Sequence, residues 1–354
     1  MIRVLIVDDS QTMRVVIRNI LESDPELRVV GEARNGREAI NLCKRVEPDI
    51  VTMDIRMPEM DGFQAIQRIM AESPRPIVVL TSTKSDRELG ISFKAIDYGA
   101  LAVTKKPFFS AGIYPNAEKL IGEVKAMAQV KVVGRRRSTV KETSKPPSPR
   151  SLYPILVSNP LRLIAMGAST GGPPALNVIL TKLPSDLPVP VVVVQHISVG
   201  FMKGLVRWLN DTTPLRVRIA TNGVLMEPGT VYLPPDQQHL TVGKGWRAWL
   251  QDSPPVGGHR PSVTVLFDSV AEHYGRSAAG VLLTGMGADG ARGLKAIRDA
   301  GGYTIAQDED TSVVFGMPKE AIKMGGASEV AALGDIGERL TSLMKNEGLL
   351  TLNS

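Results

Sequence analysis

Short, largely apolar runs alternate with helically periodic stretches along the first third of the chain, and that alternation limits its fold more than any other feature. Ile2 to Val7 is a near-continuous apolar run, as in a parallel strand covered on both faces. Ser10 suits a helix N-cap, and Met13, Val16, Ile17, Ile20 and Leu21 follow at helical spacing. The alternation continues with a strand over Val29 to Glu32, a helix over Gly36 to Val46 and a strand over Asp49 to Met53. Phe63, Ile66, Ile69 and Met70 mark a further helix, and Ile77 to Leu80 and Ala100 to Val103 two further strands. Strands separated by helices cross over right-handedly, which gives a doubly wound parallel sheet.

Such sheets place their sites at the C-terminal strand ends. There this chain carries Asp8 and Asp9 after the first strand, Asp54 after the third, Thr81 after the fourth, and Lys106-Pro107 beyond the fifth. Three carboxylates at one edge repel unless a cation neutralises them. Oxygen ligands favour a hard cation such as Mg²⁺, which leaves a position for a phosphate. Lys106 can pair with phosphoryl oxygens, Thr81 can donate a hydroxyl, and a carboxylate so placed can form an aspartyl phosphate.

With Asp54-Ile55-Arg56-Met57-Pro58-Glu59-Met60-Asp61-Gly62, residues 1–125 resemble a response-regulator receiver domain, a flavodoxin-like α/β fold. The resemblance implies that Asp54 is the phosphoacceptor and that Asp8 and Asp9 hold Mg²⁺, helped by the Arg56 carbonyl. It departs from the family at Val103, where an aromatic residue is usual.

Residues 126–158 read as a flexible, basic, Pro-rich linker. Lys131, Arg135, Arg136, Arg137, Lys141, Lys145 and Arg150, opposed by Glu142, carry the whole net charge of +6. A charge excess confined to such a segment is a solvated tether, so no nucleic-acid partner is expected. No apolar run approaches the roughly 20 residues that cross a bilayer. The short run Val4 to Val7 is not a signal peptide, and one cysteine, Cys43, excludes an internal disulfide framework. Cys43 shares an apolar stripe with Ala39 and Ile40 and reads as a buried small hydrophobe. A cytoplasmic protein without membrane insertion is expected.

Residues 159–354 form a second α/β unit. An apolar strand over Leu161 to Met166 runs into Gly167-Ala168-Ser169-Thr170-Gly171-Gly172, and Pro173 and Pro174 suit the first turn of a helix. A serine at such a turn is exposed, and the N–H groups that follow can form an oxyanion hole. The base should be His196, which follows the strand Val191 to Val194 at the same sheet edge. His239 falls in a polar, turn-like segment, and His259 and His273 lie off any strand end. The orienting acid should be Asp289, in the loop after the strand Gly280 to Leu283, ahead of Asp268, Asp299 and Asp308. The order Ser, His, Asp separates the chain from the α/β-hydrolases.

Gly285 to Gly290 also fits G-x-G-x-x-G, with Asp308 near the spacing of a ribose-binding acid. A nucleotide-binding oxidoreductase is therefore the competing enzyme class, but Asp289 would repel a pyrophosphate. A receiver-coupled transcription factor lacks its helix-turn-helix and basic stripe, and a catalytically dead scaffold is at odds with an intact Ser169, His196 and Asp289.

Gly167 to Gly172, Gln195-His196, Arg260-Pro261-Ser262-Val263, Thr284 to Gly290 and Phe315-Gly316-Met317-Pro318 resemble the catalytic domain of the chemotaxis methylesterases, the CheB family, a Rossmann-like α/β fold. Departures are Ile197 to Met202 after the histidine and Thr264 in place of a common acid. The resemblance implies a Ser169–His196–Asp289 triad lined by Thr170, Gln195 and Met286, needing no cofactor in this domain. The implied reaction is hydrolysis of glutamate γ-methyl esters, and deamidation of glutamines, in methyl-accepting chemotaxis receptors. A chemotaxis sensor histidine kinase would be the phosphodonor, and the unphosphorylated receiver would restrain the esterase.

Overall fold

In the N-terminal part, β1 (Ile2–Val7), β2 (Leu27–Ala33), β3 (Ile50–Asp54), β4 (Ile77–Thr81) and β5 (Ala102–Lys105) alternate with α1 (Gln11–Leu21), α2 (Gly36–Val46), α3 (Gly62–Glu72), α4 (Asp86–Phe93) and α5 (Ala117–Ala128). The computed structural model describes residues 1–82, 86–110, 113–130, 132, 150–151 and 160–345, so most of the segment expected as a linker lies outside the described residues. The chain divides into two compact units, Met1–Lys145 and Pro146–Ser354.

The first sheet is wholly parallel, in the order β2-β1-β3-β4-β5. Three of its helices start on side-chain caps. Ser10, Asn35 and Asp61 accept the N–H groups of Met13, Glu38 and Gln64, each worth about 1 kcal/mol. Leu5, Val7, Val51, Met53 and Val79 pack with Ala39, Ile40, Cys43, Ala65, Ile66 and Ile69 in one apolar core. The fifth strand begins two residues later than the apolar run suggests. Ala100 N–H bonds the Ala95 carbonyl to close a turn, and the ladder with β4 runs from Ala102 to Lys105. That shift brings the strand end up to Lys106.

The second unit contains β6 (Arg150–Ser151), β7 (Leu163–Ala168), α6 (Gly172–Lys182), β8 (Val191–Gln195), α7 (Met202–Thr212), β9 (Arg216–Ile219), β10 (Val224–Leu225) and β11 (Thr230–Leu233). There follow β12 (His239–Gly243), β13 (Arg247–Gln251), α8 (Val263–His273), β14 (Ala278–Leu282), α9 (Ala291–Asp299), β15 (Tyr303–Gln307), α10 (Met317–Lys323), β16 (Glu329–Ala331) and α11 (Leu333–Lys345). The large sheet has the order β6-β16-β15-β14-β7-β8-β11-β9. All its pairings are parallel except that of β16 with β6 at the edge. A small antiparallel sheet, β10-β13-β12, combines β10, which precedes β11, with β12 and β13, which lie between β11 and α8.

β7 continues through Gly167 and Ala168, past the Met166 end that the apolar run suggests. The backbone there pairs on both sides, Gly167 with Val194 and Leu282, and Ala168 with Gln195. Sheet pairing overrides the loop-like composition of these residues, and Ser169 follows the strand directly. Val263, Leu266, Phe267 and Val270 of α8 and Leu294 and Ile297 of α9 cover Leu163, Ala165, Val192 and Val194. Burial of each such side chain contributes about 1.5–3 kcal/mol. No helix among the described residues is long and apolar enough to cross a membrane.

Candidate active site and phosphorylation site

At the C-terminal edge of the first sheet, Asp8, Asp9 and Asp54 each offer a carboxylate oxygen, all within 4.8 Å of one another. Lys106 Nζ lies 2.7 Å from Asp8 Oδ2 and 2.7 Å from Asp54 Oδ2. Asp8, Asp54, Lys106 and Thr81 are all buried. Burial pushes the Asp54 carboxyl up and the Asp8 charge adds to this, against the pull of Lys106. For Lys106, burial works to lower the ammonium's pKa, but its bonds to Asp54 and Asp8 outweigh that and raise it. The directions agree with a lysine that stays charged between two buried acids.

Asp54 Oδ1 accepts N–H groups from Ile55 at 2.7 Å and Arg56 at 3.4 Å, which leaves Oδ2 as the oxygen held by Lys106. Ser92 Oγ donates to Thr81 Oγ1 at 3.4 Å, and Lys106 N–H bonds the Thr81 carbonyl at 2.9 Å. The three acids are an all-oxygen donor set of the kind Mg²⁺ takes, so the residues fit that ion. Val103 lies among the half-buried residues packed on this core.

In the second unit the strand ends of β7, β8 and β14 bring together Ser169, His196 and the loop that carries Asp289. Ser169 N–H bonds the Thr284 carbonyl at 3.0 Å, and His196 N–H bonds the Ala168 carbonyl at 3.0 Å. Gln195 is buried, and its Nε2 donates to the Ser169 carbonyl at 2.7 Å and the His196 carbonyl at 2.8 Å. Gln195 thus ties the serine turn to the histidine rather than facing outward. Thr284 Oγ1 donates to the Thr170 carbonyl at 2.9 Å and braces the turn from its other side. Met286 stands half exposed in the Asp289 loop.

His196 Nε2 lies 2.9 Å from Asp289 Oδ2. Asp289 also accepts Val263 N–H at 2.7 Å on Oδ2, and Ser262 Oγ–H at 2.8 Å and Thr264 N–H at 3.0 Å on Oδ1. The carboxylate therefore sits on the open N–H groups at the start of α8, where the helix dipole favours an anion. Burial works to raise its pKa, but hydrogen bonds from His196 and Thr264 outweigh this and hold it well below the usual carboxylate range. Among the described residues His196 Nδ1 is buried and has no hydrogen-bond partner.

One histidine differs from its sequence-based placement, and another makes a contact that placement did not show. His239 is not in a polar turn; it opens β12 and is fully buried. Its Nδ1 accepts Ser262 N–H at 3.1 Å, and its Nε2 lies 3.2 Å from the Pro254 carbonyl. A buried imidazole with both nitrogens satisfied is as stable in a strand as in a turn, and it fixes the segment that cradles Asp289. His259, off any strand end as expected, stacks on His196. Spacing along the chain carried no sign of either contact. Asp308, the acid of the competing nucleotide-binding motif, accepts the Thr311 N–H within a local turn.

The family model for CheB methylesterase matches residues 164–340, and that for the response regulator receiver domain matches residues 4–114. The chain is 45% identical to protein-glutamate methylesterase/protein-glutamine glutaminase 4 of Myxococcus xanthus (strain DK1622), over 98% of each chain. It is 44% identical to protein-glutamate methylesterase/protein-glutamine glutaminase of Nitrosospira multiformis, again over 98% of each. The crystal structure of the Thermotoga maritima CheB methylesterase catalytic domain is 39% identical, with a TM-score of 0.50, covering 52% of this chain and 98% of that one. Similarity along nearly the whole length, with both domains in the same chain, shows that the protein belongs to the CheB family, a response-regulator receiver followed by a methylesterase domain.

Proposed function

We propose that the chain hydrolyses glutamate γ-methyl esters and deamidates glutamines of methyl-accepting chemotaxis receptors, under control of phosphorylation at Asp54. The observation that carries the reading is the bond between Asp289 and His196 Nε2 beside the Ser169 turn. An ionised Asp289 keeps the proton on Nε2, so the Nδ1 lone pair is the base. Nδ1 takes the Ser169 proton as Oγ adds to the γ-carbonyl carbon. The imidazolium then returns that proton to the leaving group, methanol from an ester or ammonia from an amide. Water, deprotonated by the same nitrogen, cleaves the acyl-serine ester and frees glutamate and Ser169.

Ser169 and Gly172 spend their N–H groups on the Thr284 and Ser169 carbonyls. The N–H groups of Thr170 and Gly171, which have no partner among the described residues, are the oxyanion donors of this reading. Thr170 and Met286 border the scissile group, while Gln195 holds the serine and histidine backbones in register.

In the receiver, Asp54 Oδ2 attacks the phosphorus of a phosphohistidine on the donor, the P–N bond breaks and the donor imidazole leaves with its electron pair, while Lys106 follows the phosphoryl oxygens and Thr81 donates its hydroxyl to them. Mg²⁺ held by Asp8, Asp9, Asp54 and the Arg56 carbonyl would neutralise phosphoryl charge. The phosphodonor of this reading is a chemotaxis sensor histidine kinase.

Methanol release from methylated receptor membranes tests the reading. The wild-type chain should release methanol, faster with a phosphodonor and Mg²⁺. Ser169→Ala should remain folded and release none above background. Near-normal turnover in that variant would overturn the assignment.

A further inference from the structure

The imidazole of His259 lies flat on that of His196, with ring centroids 4.1 Å apart and planes 3° apart. Backbone structure fixes it there. Val256 N–H bonds the His259 carbonyl at 3.1 Å, and His259 N–H bonds the Val256 carbonyl at 3.0 Å. Between them Gly257 and Gly258 both have positive φ, 59° and 82°, the left-handed pair that a tight two-residue turn requires and glycine alone adopts without strain. On the other side of His259, the Arg260 guanidinium donates to the carbonyls of Asp252 at 3.3 Å and Ser253 at 3.4 Å, and to Gln237 Oε1 at 3.4 Å.

The bond from His196 to Asp289 runs in the plane of the ring and fixes one edge. It does not resist tilting of the ring about that bond. A parallel face contact does, and the two constraints act at right angles. The reaction also puts a positive charge on the His196 ring. A neutral aromatic face within about 6 Å favours a cation, whereas a protonated imidazole at the same distance repels it. Of the charged groups on these segments among the described residues, Asp289 bonds His196 Nε2, Arg260 follows His259 in the chain, and the Asp236 carboxylate accepts Gly200 N–H in the loop after His196.

We propose that His259 is a positioning residue for the esterase: its ring holds the His196 imidazole at the angle at which Nδ1 meets Ser169 Oγ, and in its neutral form it steadies the imidazolium. This rests on the reading of Ser169, His196 and Asp289 as a triad. Protonation of His259 would then slow the reaction in addition to protonation of His196.

The test compares full-length wild type, His259→Ala, His259→Phe and Ser169→Ala in methanol release across pH, with thermal unfolding of each. His259→Ala should lower kcat ~10- to 100-fold, the scale of a misaligned catalytic group, with little change in KM. His259→Phe restores a flat ring that cannot titrate. It should recover most of kcat and make the acid limb of the kcat/KM profile shallower than in wild type. Wild-type kcat and an unchanged acid limb in His259→Ala would overturn the proposal. So would a Phe variant that unfolds like wild type yet is no faster than the Ala variant. Failure of the triad itself would show separately, as turnover in Ser169→Ala.

Discussion

Nε2 of His196 and Oδ2 of Asp289 stand 2.9 Å apart, so the imidazole is held by the ring nitrogen farther from its backbone. The nearer nitrogen, Nδ1, is buried without a partner. In many serine hydrolases the acid takes Nδ1–H and Nε2 serves as base. Here Asp289 comes from the loop after β14, sits on the N–H groups at the start of α8 and meets the ring on its Nε2 side.

Replacing Asp289 by Asn should therefore affect rate and stability together. One amide oxygen cannot serve the four donors that converge on the carboxylate. Turnover should fall ~10³- to 10⁴-fold, and the second unit should lose about 1–3 kcal/mol. The folded pKa of Asp289 is depressed. Its stabilisation is thus fully present above the ordinary carboxylate pKa and is lost as pH falls through the folded value. The Tm difference between wild type and Asp289→Asn should be constant from neutrality down to about pH 5 and shrink only in stronger acid. A difference that grows on acidification would contradict the depressed pKa.

Gly285 sits against Ser169. A methyl group there would overlap Met317 Sδ and come within 2.7 Å of Ser169 Cβ. Gly285→Ala should displace Ser169 and reduce kcat ~100-fold. Gly122, in α5, has nothing within 4 Å of an added Cβ, and Gly122→Ala should gain about 0.5–1 kcal/mol from helix propensity with no loss of esterase rate. Steady-state kinetics and thermal melts of the two variants check both statements.

Lys106 is the counter-charge for Asp8 and Asp54. Lys106→Met leaves two buried acids facing each other and removes the group that pulls the Asp54 pKa down. Phosphorylation by a small phosphodonor with Mg²⁺ should slow, and its acid limb should move to higher pH. Asp54→Asn should take up no phosphoryl group by mass spectrometry. Label retained in that variant would place the phosphoacceptor elsewhere.

Cys43 is fully buried, and burial pushes its thiol up to about 12. The native protein should resist thiol reagents at pH 8 and react fully once denatured. Reaction of the native chain at the rate of a free thiol would show that α2 opens readily.

Apolar runs and helical periodicity were enough to place every parallel strand of the first unit and the three central strands of the second, because a strand covered on both faces must be apolar almost throughout. They also brought Asp8, Asp9, Asp54, Thr81 and Lys106 to one edge, and Ser169, His196 and Asp289 to another, since parallel strands joined by crossovers end on the same side. Strand limits were less legible. β7 runs on through Gly167 and Ala168 because neighbours on both sides take their backbone hydrogen bonds, a property of the sheet and not of those residues.

The sequence by itself determined the two parallel sheets and the residues that reach their edges. Only the tertiary structure decided which imidazole nitrogen faces Asp289, that His239 is buried against Ser262, and that His259 covers His196. These contacts join segments 23 to 93 residues apart through side-chain orientation. Local periodicity records which face of an element is buried; it carries nothing about the direction of a polar side chain on a loop, which is fixed only when the partner loop packs beside it.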